Sequence, residues 1–364
     1  MKKRDKVYIE ALRILATGCV IFNHLPAIVL FTDTDGIIQT IYMAITVLVK
    51  ISVPVFFMIS GALLLGRKEE SHKDVIKNKF MRILITMIIF ELGVYILSLL
   101  VGVMGENGIH DFSLRYFIKE FLEGSLEYCG AYWYLYIYLG FLLCLPFMQR
   151  IAPKMNKSDF IFLIGIHFIF SSLLPMYNVF CFDNKIGDFY FDAGFDIPFA
   201  SRTMLFFPLI GYYIDKEIDT KNIKKKHIVY MLSVMAVCLC LTCMTVYREA
   251  SIRDAFLFNY VEIFNYVFAI IIFILFKYRY ERVLINRKSY KRLSDIVCFV
   301  GPLTFGIYLL DPYMGLVVTG RYFYFVESLL GTLWTSVTMM FVSMTICGTI
   351  TYILKKMPVF DRLL

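Results

Sequence analysis

Arg13 and His24 stand eleven positions apart in the stretch EALRILATGCVIFNHL, residues 10–25, which is otherwise apolar enough to lie inside a lipid bilayer. Histidine is the side chain that gains and loses a proton near neutrality. Arginine presents a fixed fork of donors to an oxyanion. At 100° per residue, eleven steps end about 20° past three full turns, so a helix carries both side chains on one stripe, roughly 16 Å apart along its axis. Glu10 precedes Arg13 by one turn, where the two can pair, and Asn23 lies alongside His24. Taken singly, each has a plain explanation: Arg13 snorkels to the membrane interface, and His24 is a hydrogen-bonded packing residue. Both on one stripe point instead to a polar pathway through a helical bundle.

The rest of the chain supplies that bundle. Of the 364 residues 59% are hydrophobic and 18% charged, with a mean hydropathy of +0.69. Soluble domains are nearer half apolar and a quarter charged. Apolar runs such as RILITMIIFELGVYILSLLVGVM (82–104) and IVYMLSVMAVCLCLTCMTV (228–246) are long enough to cross the hydrocarbon layer. The expected fold class is all-α, a polytopic transmembrane bundle forming one domain over residues 1–364. Ten spans fit, near 8–30, 37–65, 83–104, 130–148, 158–176, 197–214, 228–246, 258–276, 296–319 and 329–352, with Lys50 and Pro54 breaking the second. The basic start MKKRDK lacks a small-residue cleavage site and reads as the flank of an uncleaved first helix.

Charge follows the same threading. Twenty-eight of the 37 Lys and Arg residues fall at alternate ends of the spans, against six in the intervening loops, which places both termini in the cytoplasm. The net charge of +8 is therefore a topology signal. The basic runs KNIKKKH (221–227) and RKSYKR (287–292) abut membrane helices and imply anionic lipid headgroups, not nucleic acid. A charge near the bilayer centre costs about 2.5–3.5 kcal/mol on insertion scales and so faces a protein interior or a wet cavity. Lys50, Glu91, Arg202, Glu262 and Asp311 are such residues, beside Glu10, Arg13 and His24. No two histidines stand at ligand spacing on one helix, and no metal is expected. The nine cysteines show no spacing that suggests zinc, and Cys238, Cys240 and Cys243 lie inside an apolar span as packing residues; Cys129 and Cys181 fall in loops placed outside, where a disulfide between them is one option.

Further along, VPVFFMISGALLLG (53–66) includes Ser60 and Gly61, KNKFMRILI carries Arg82, YWYLYIYLGFLLCLPFM (132–148) opens with Trp133 and Tyr134, and FFPLIGYYI (206–214) and TFGIYLLDP (304–312) follow, the last with Tyr308 and Asp311. With Arg13-X10-His24 these blocks, in this order, resemble the membrane acyltransferase-3 family over nearly the whole chain. The Val-Pro start is similar to the branch that modifies surface polysaccharides. One residue departs: Asp311 stands where many relatives carry histidine.

The resemblance implies an integral membrane O-acyltransferase of the bacterial cytoplasmic membrane. Its donor is acyl-CoA, expected to be acetyl-CoA, and its acceptor a hydroxyl of an extracytoplasmic oligo- or polysaccharide; no cofactor is bound. On that reading His24 is the general base or a transient acyl carrier, and Arg13 holds a phosphate or carbonyl oxygen of the donor. Ser60 and Gly61 also suit close helix packing, and Trp133 and Tyr134 suit an aromatic belt as well as a cavity wall. Buried Arg, His, Glu and Asp also befit a proton-coupled transporter or flippase, though no internal repeat of the transporter kind is present. A membrane sensor or assembly scaffold without activity is a third reading.

Overall fold

The computed structural model describes residues 6–25, 36–102, 111–181, 205–253, 261–285, 287 and 289–364. Every regular element among them is helical. In chain order the α-helices are α1 (Val7–Asn23), α2 (Gly36–Val49), α3 (Ser52–Leu64), α4 (His72–Val75), α5 (Met81–Val101), α6 (Leu114–Glu123), α7 (Trp133–Ile151), α8 (Lys157–Phe168) and α9 (Leu174–Cys181). There follow α10 (Phe206–Glu217), α11 (Lys225–Arg253), α12 (Asn265–Tyr278), α13 (Tyr290–Val300), α14 (Thr304–Met314), α15 (Gly320–Leu330), α16 (Thr332–Leu354) and α17 (Pro358–Leu363).

Seven helical stretches among the described residues are long and apolar enough to cross a membrane: Gly36–Leu64, His72–Val101, Gly130–Lys154, Lys157–Tyr177, Lys225–Ser251, Tyr290–Leu330 and Thr332–Leu354. Each overlaps one of the ten expected spans. At the other three, α1, α10 and α12 have 17, 12 and 14 residues, and the neighbouring stretches 26–35, 182–204 and 254–260 lie outside the described residues. The protein is a multi-pass helical membrane protein.

Three helix ends depart from or refine the expected spans. α1 stops at Asn23, with His24 in the turn that follows, not on the helix itself. Pro26 accounts for this, because a proline disfavours helical backbone at the residue before it. The second span breaks at Lys50 and Ile51, as expected, and the Asn265 amide donates to the freed Lys50 carbonyl at 2.8 Å. The ninth runs longer than expected, 41 residues from Tyr290 to Leu330. Pro312 lies inside α14 and a π-helical segment, Gly315–Thr319, follows it. Such a widened turn absorbs the hydrogen bond that proline cannot donate.

The chain divides into two compact units built from interleaved segments. One comprises Met1–Asn23, Ile28–Lys68 and Met148–Cys298; the other comprises His24–Ala27, Glu69–Phe147 and Phe299–Leu364. In the first, α3 packs along α10, with α1 and α12 against them. Lys277, 6% exposed, donates to the carbonyls of Ile214, Asp215 and Ile218 at 3.0, 2.9 and 2.8 Å. It thereby closes the last turn of α10, whose carbonyls have no helical partner, and puts a cation at the helix's negative end. Asp215 in turn receives Lys6 at 2.7 Å and the Tyr8 hydroxyl, tying the start of α1 to the end of α10. His167 stacks on Phe206, ring centroids 4.0 Å apart and 5° from parallel.

In the second unit two buried tyrosines lock the start of α7 to α14 reciprocally. The Tyr132 hydroxyl donates to the Leu309 carbonyl and the Tyr308 hydroxyl to the Ala131 carbonyl, both at 2.5 Å. The Tyr313 hydroxyl donates to the Phe90 carbonyl at 2.7 Å, joining α14 to α5. α16 buries Thr335, Ser336, Met339, Ser343, Cys347 and Thr351, a mostly small face that lets membrane helices approach closely.

Candidate active site

Two of the residues that the sequence marked for chemistry meet in the second unit. His24 Nδ1 lies 2.5 Å from Asp311 Oδ2, with the side chains 29% and 9% exposed. A carboxylate only accepts, so the hydrogen in this contact sits on Nδ1, and Asp311 leaves Nε2 unengaged. Leu25, immediately after His24, is buried against Phe323 of α15 and Met339 of α16, which fixes the backbone that carries the imidazole. Asp311 is held from behind by the Tyr308 and Tyr132 locks one turn earlier on α14. Tyr134 meets the Tyr308 ring edge-on at 6.1 Å and stacks on Tyr138 at 5.8 Å, so Tyr134 and Tyr308 form one aromatic wall. Trp133 stands outward, 45% exposed.

In the first unit Arg13 Nη1 lies 3.0 and 3.1 Å from the two Glu10 oxygens, as their spacing predicts. Asn23 Oδ1 is buried without a hydrogen-bond partner among the described residues. Lys50 Nζ comes within 4.0 Å of Glu262 Oε1, a pairing that sequence could not assign. The Ser60 hydroxyl donates to the Phe56 carbonyl at 3.0 Å, within its own helix, and Gly61 is where α3 touches α10. In the second unit Arg82 Nε donates to the Leu363 carbonyl at 3.2 Å. Arg202 lies outside the described residues. Cys129 is a buried free thiol, and the Cys181 side chain lies outside what the structure describes. Burial pushes the Cys129 pKa up, with Glu91 nearby adding to the shift, which keeps it a neutral packing thiol.

Sequence reasoning named Glu91 among the intramembrane charges but gave it no partner; its contact is Tyr136, one aromatic among several in α7 and without any signal of its own. Similarly, the Lys6–Asp215–Tyr8 cluster joins residues over 200 positions apart, where no local spacing rule reaches.

A helical chain crossing the membrane several times, with a partly exposed histidine oriented by a buried carboxylate, has the makings of an integral membrane enzyme. The acyltransferase-3 family, described as "Acyltransferase domain", matches residues 6–352, and the chain belongs to that family. It is a membrane acyltransferase. No curated protein and no solved structure matches it.

Proposed function

We propose that this acyltransferase moves an acyl group, acetyl in the first instance, from cytoplasmic acyl-CoA to a hydroxyl of an extracytoplasmic glycan at the bacterial cytoplasmic membrane. The observation that carries the reading is the His24–Asp311 pair at 2.5 Å. Nε2 takes the hydroxyl hydrogen as the acceptor oxygen attacks the thioester carbonyl, and Asp311 steadies the imidazolium that results. Arg13 serves the donor, its guanidinium turning from Glu10 to a phosphate or carbonyl oxygen of acyl-CoA. Asp311 in place of histidine supports the base reading, because a carboxylate selects the tautomer that leaves Nε2 basic.

The test incubates purified protein in lipid with labelled acetyl-CoA and candidate glycans, and measures proton-driven uptake of the same glycans in parallel. Acylation supports the enzyme; uptake without acylation supports the rival carrier. Asp311→Asn should lower kcat about 10²-fold with little change in KM, since an amide can turn the imidazole to the tautomer with its hydrogen on Nε2. Unchanged kcat would detach Asp311 from the chemistry.

A further inference from the structure

A second ionisable group lies in the same compact unit as His24 and Asp311, and the reaction as written above does not use it. Glu91, midway along α5, is 1% exposed. Its Oε1 has no hydrogen-bond partner among the described residues, and its Oε2 lies 3.2 Å from the Tyr136 hydroxyl. That hydroxyl is also 2.8 Å from the Phe121 carbonyl. A phenol has one hydrogen, and a carbonyl can only accept. The Tyr136 hydrogen is shared between the Phe121 carbonyl and Glu91 Oε2, the former at the shorter distance, so Glu91 receives at most part of one donor.

The neighbours agree. Among the described residues, Tyr136 of α7, Cys129 and Tyr132 just before it, and Tyr308 of α14 lie within electrostatic reach of Glu91. None is a cation, and no Lys, Arg or His pairs with Glu91 among the described residues. An ionised carboxylate so placed is costly, and an intramembrane ionisable residue marks function by default. Phe90, next to Glu91, accepts from the Tyr313 hydroxyl of α14, so the helix that carries Glu91 is bonded directly to the helix that carries Asp311.

We propose that Glu91 is a proton-relay residue of the acyl transfer, acting through His24 and therefore resting on the function proposed above. As the acceptor oxygen bonds to the acyl carbon, the carbon–sulfur bond breaks and the sulfur leaves with the electron pair. The hydroxyl proton is then on His24 and the CoA thiolate lacks one. As the CoA thiolate withdraws towards the cytoplasm and the acylated acceptor leaves outward, the two charges part, and a proton must pass from His24 to the sulfur. Glu91 passes its own proton towards the thiolate and is reloaded from the His24 imidazolium. The sum is one thiol, a neutral histidine and the original carboxylic acid.

Glu91→Gln tests this, because the amide keeps the shape and can still donate to Tyr136 but cannot release a proton. The expected result is an unchanged unfolding midpoint, an unchanged acceptor KM, a kcat lower by about 10²-fold and the loss of one limb of the kcat–pH profile, with Glu91→Asp restoring part of the rate. A Glu91→Gln protein with wild-type kcat and pH profile overturns the proposal. If that variant does not fold, Tyr136→Phe removes the hydroxyl facing Glu91. A lower kcat with an altered pH profile supports the relay, and a wild-type profile overturns it. Running His24→Ala beside them separates the two claims. Transfer lost in His24→Ala and intact in Glu91→Gln sinks the relay alone, whereas transfer intact in His24→Ala sinks the base assignment on which the relay rests.

Discussion

His24→Ala removes acyl transfer while leaving a folded protein. Among the described residues of the second unit, the His24 imidazole is the one whose orientation a carboxylate fixes, and histidine is the side chain suited to proton transfer near neutrality. Positioned general bases contribute about 10²–10⁴-fold, so kcat for acetyl transfer should fall by that factor at an unchanged acceptor KM. The structural cost is modest. The side chain is 29% exposed, and among the described residues its polar contact is Asp311. Losing it leaves a buried carboxyl group unpaired, worth about 1–3 kcal/mol. The combined His24→Ala, Asp311→Asn variant should be no slower than His24→Ala alone, because the two act as a unit. Radiolabel transfer and the unfolding midpoint, measured on the same preparations, check both statements. Transfer within tenfold of wild type in His24→Ala removes the base.

Gly61→Ala should damage the fold more than any other single methyl group. A Cβ built at Gly61 meets the Pro208 carbonyl oxygen at 1.8 Å, and one at Gly211 meets the Met58 carbonyl oxygen at 2.0 Å. Both obstacles are backbone, so no rotamer change relieves them; α3 and α10 must part. Overpacking of this kind costs about 1–3 kcal/mol and sometimes more. Since the same pair of helices carries Asp215 and its ties to Lys6 and Tyr8, the loss should spread through the first unit. The expected readout is a sharp drop in folded yield and in the unfolding midpoint. Gly140→Ala, with nothing within 4 Å of its Cβ, should be silent. Were Gly61→Ala folded and stable but inactive, the glycine would belong to the chemistry and not to the packing.

What could be read in advance divides by distance along the chain. The Glu10–Arg13 pair was legible because helix geometry makes residues three apart neighbours. The break at Lys50 was legible because a charge and a proline interrupt an apolar run. The His24–Asp311 contact spans 287 positions, and no periodicity links the two; only an unusual aspartate in TFGIYLLDP hinted at it. α1 was drawn too long because its apolar run continues past Pro26, and the hydropathy pattern outweighed the backbone rule. Residues 320–328, with Arg321 and Glu327, were read as an outer loop, yet they are helical within α15. There Phe323 is buried while Tyr324 and Phe325 face outward, so the amphipathic turn was present in the sequence but masked by its charges. Cys129 shows the reverse error: a loop position suggested exposure and oxidation, and the thiol is buried instead.

The Lys277 ammonium carries a last implication. With all three hydrogens committed to main-chain oxygens, this amine has no lone pair to offer an electrophile. Exposed lysines such as Lys221 and Lys226 have no such shelter. A protein that handles activated acyl groups beside its own basic rim thus keeps one structurally indispensable amine beyond the reach of stray acylation, and an amine-reactive footprint of the native protein should skip that position while marking its neighbours.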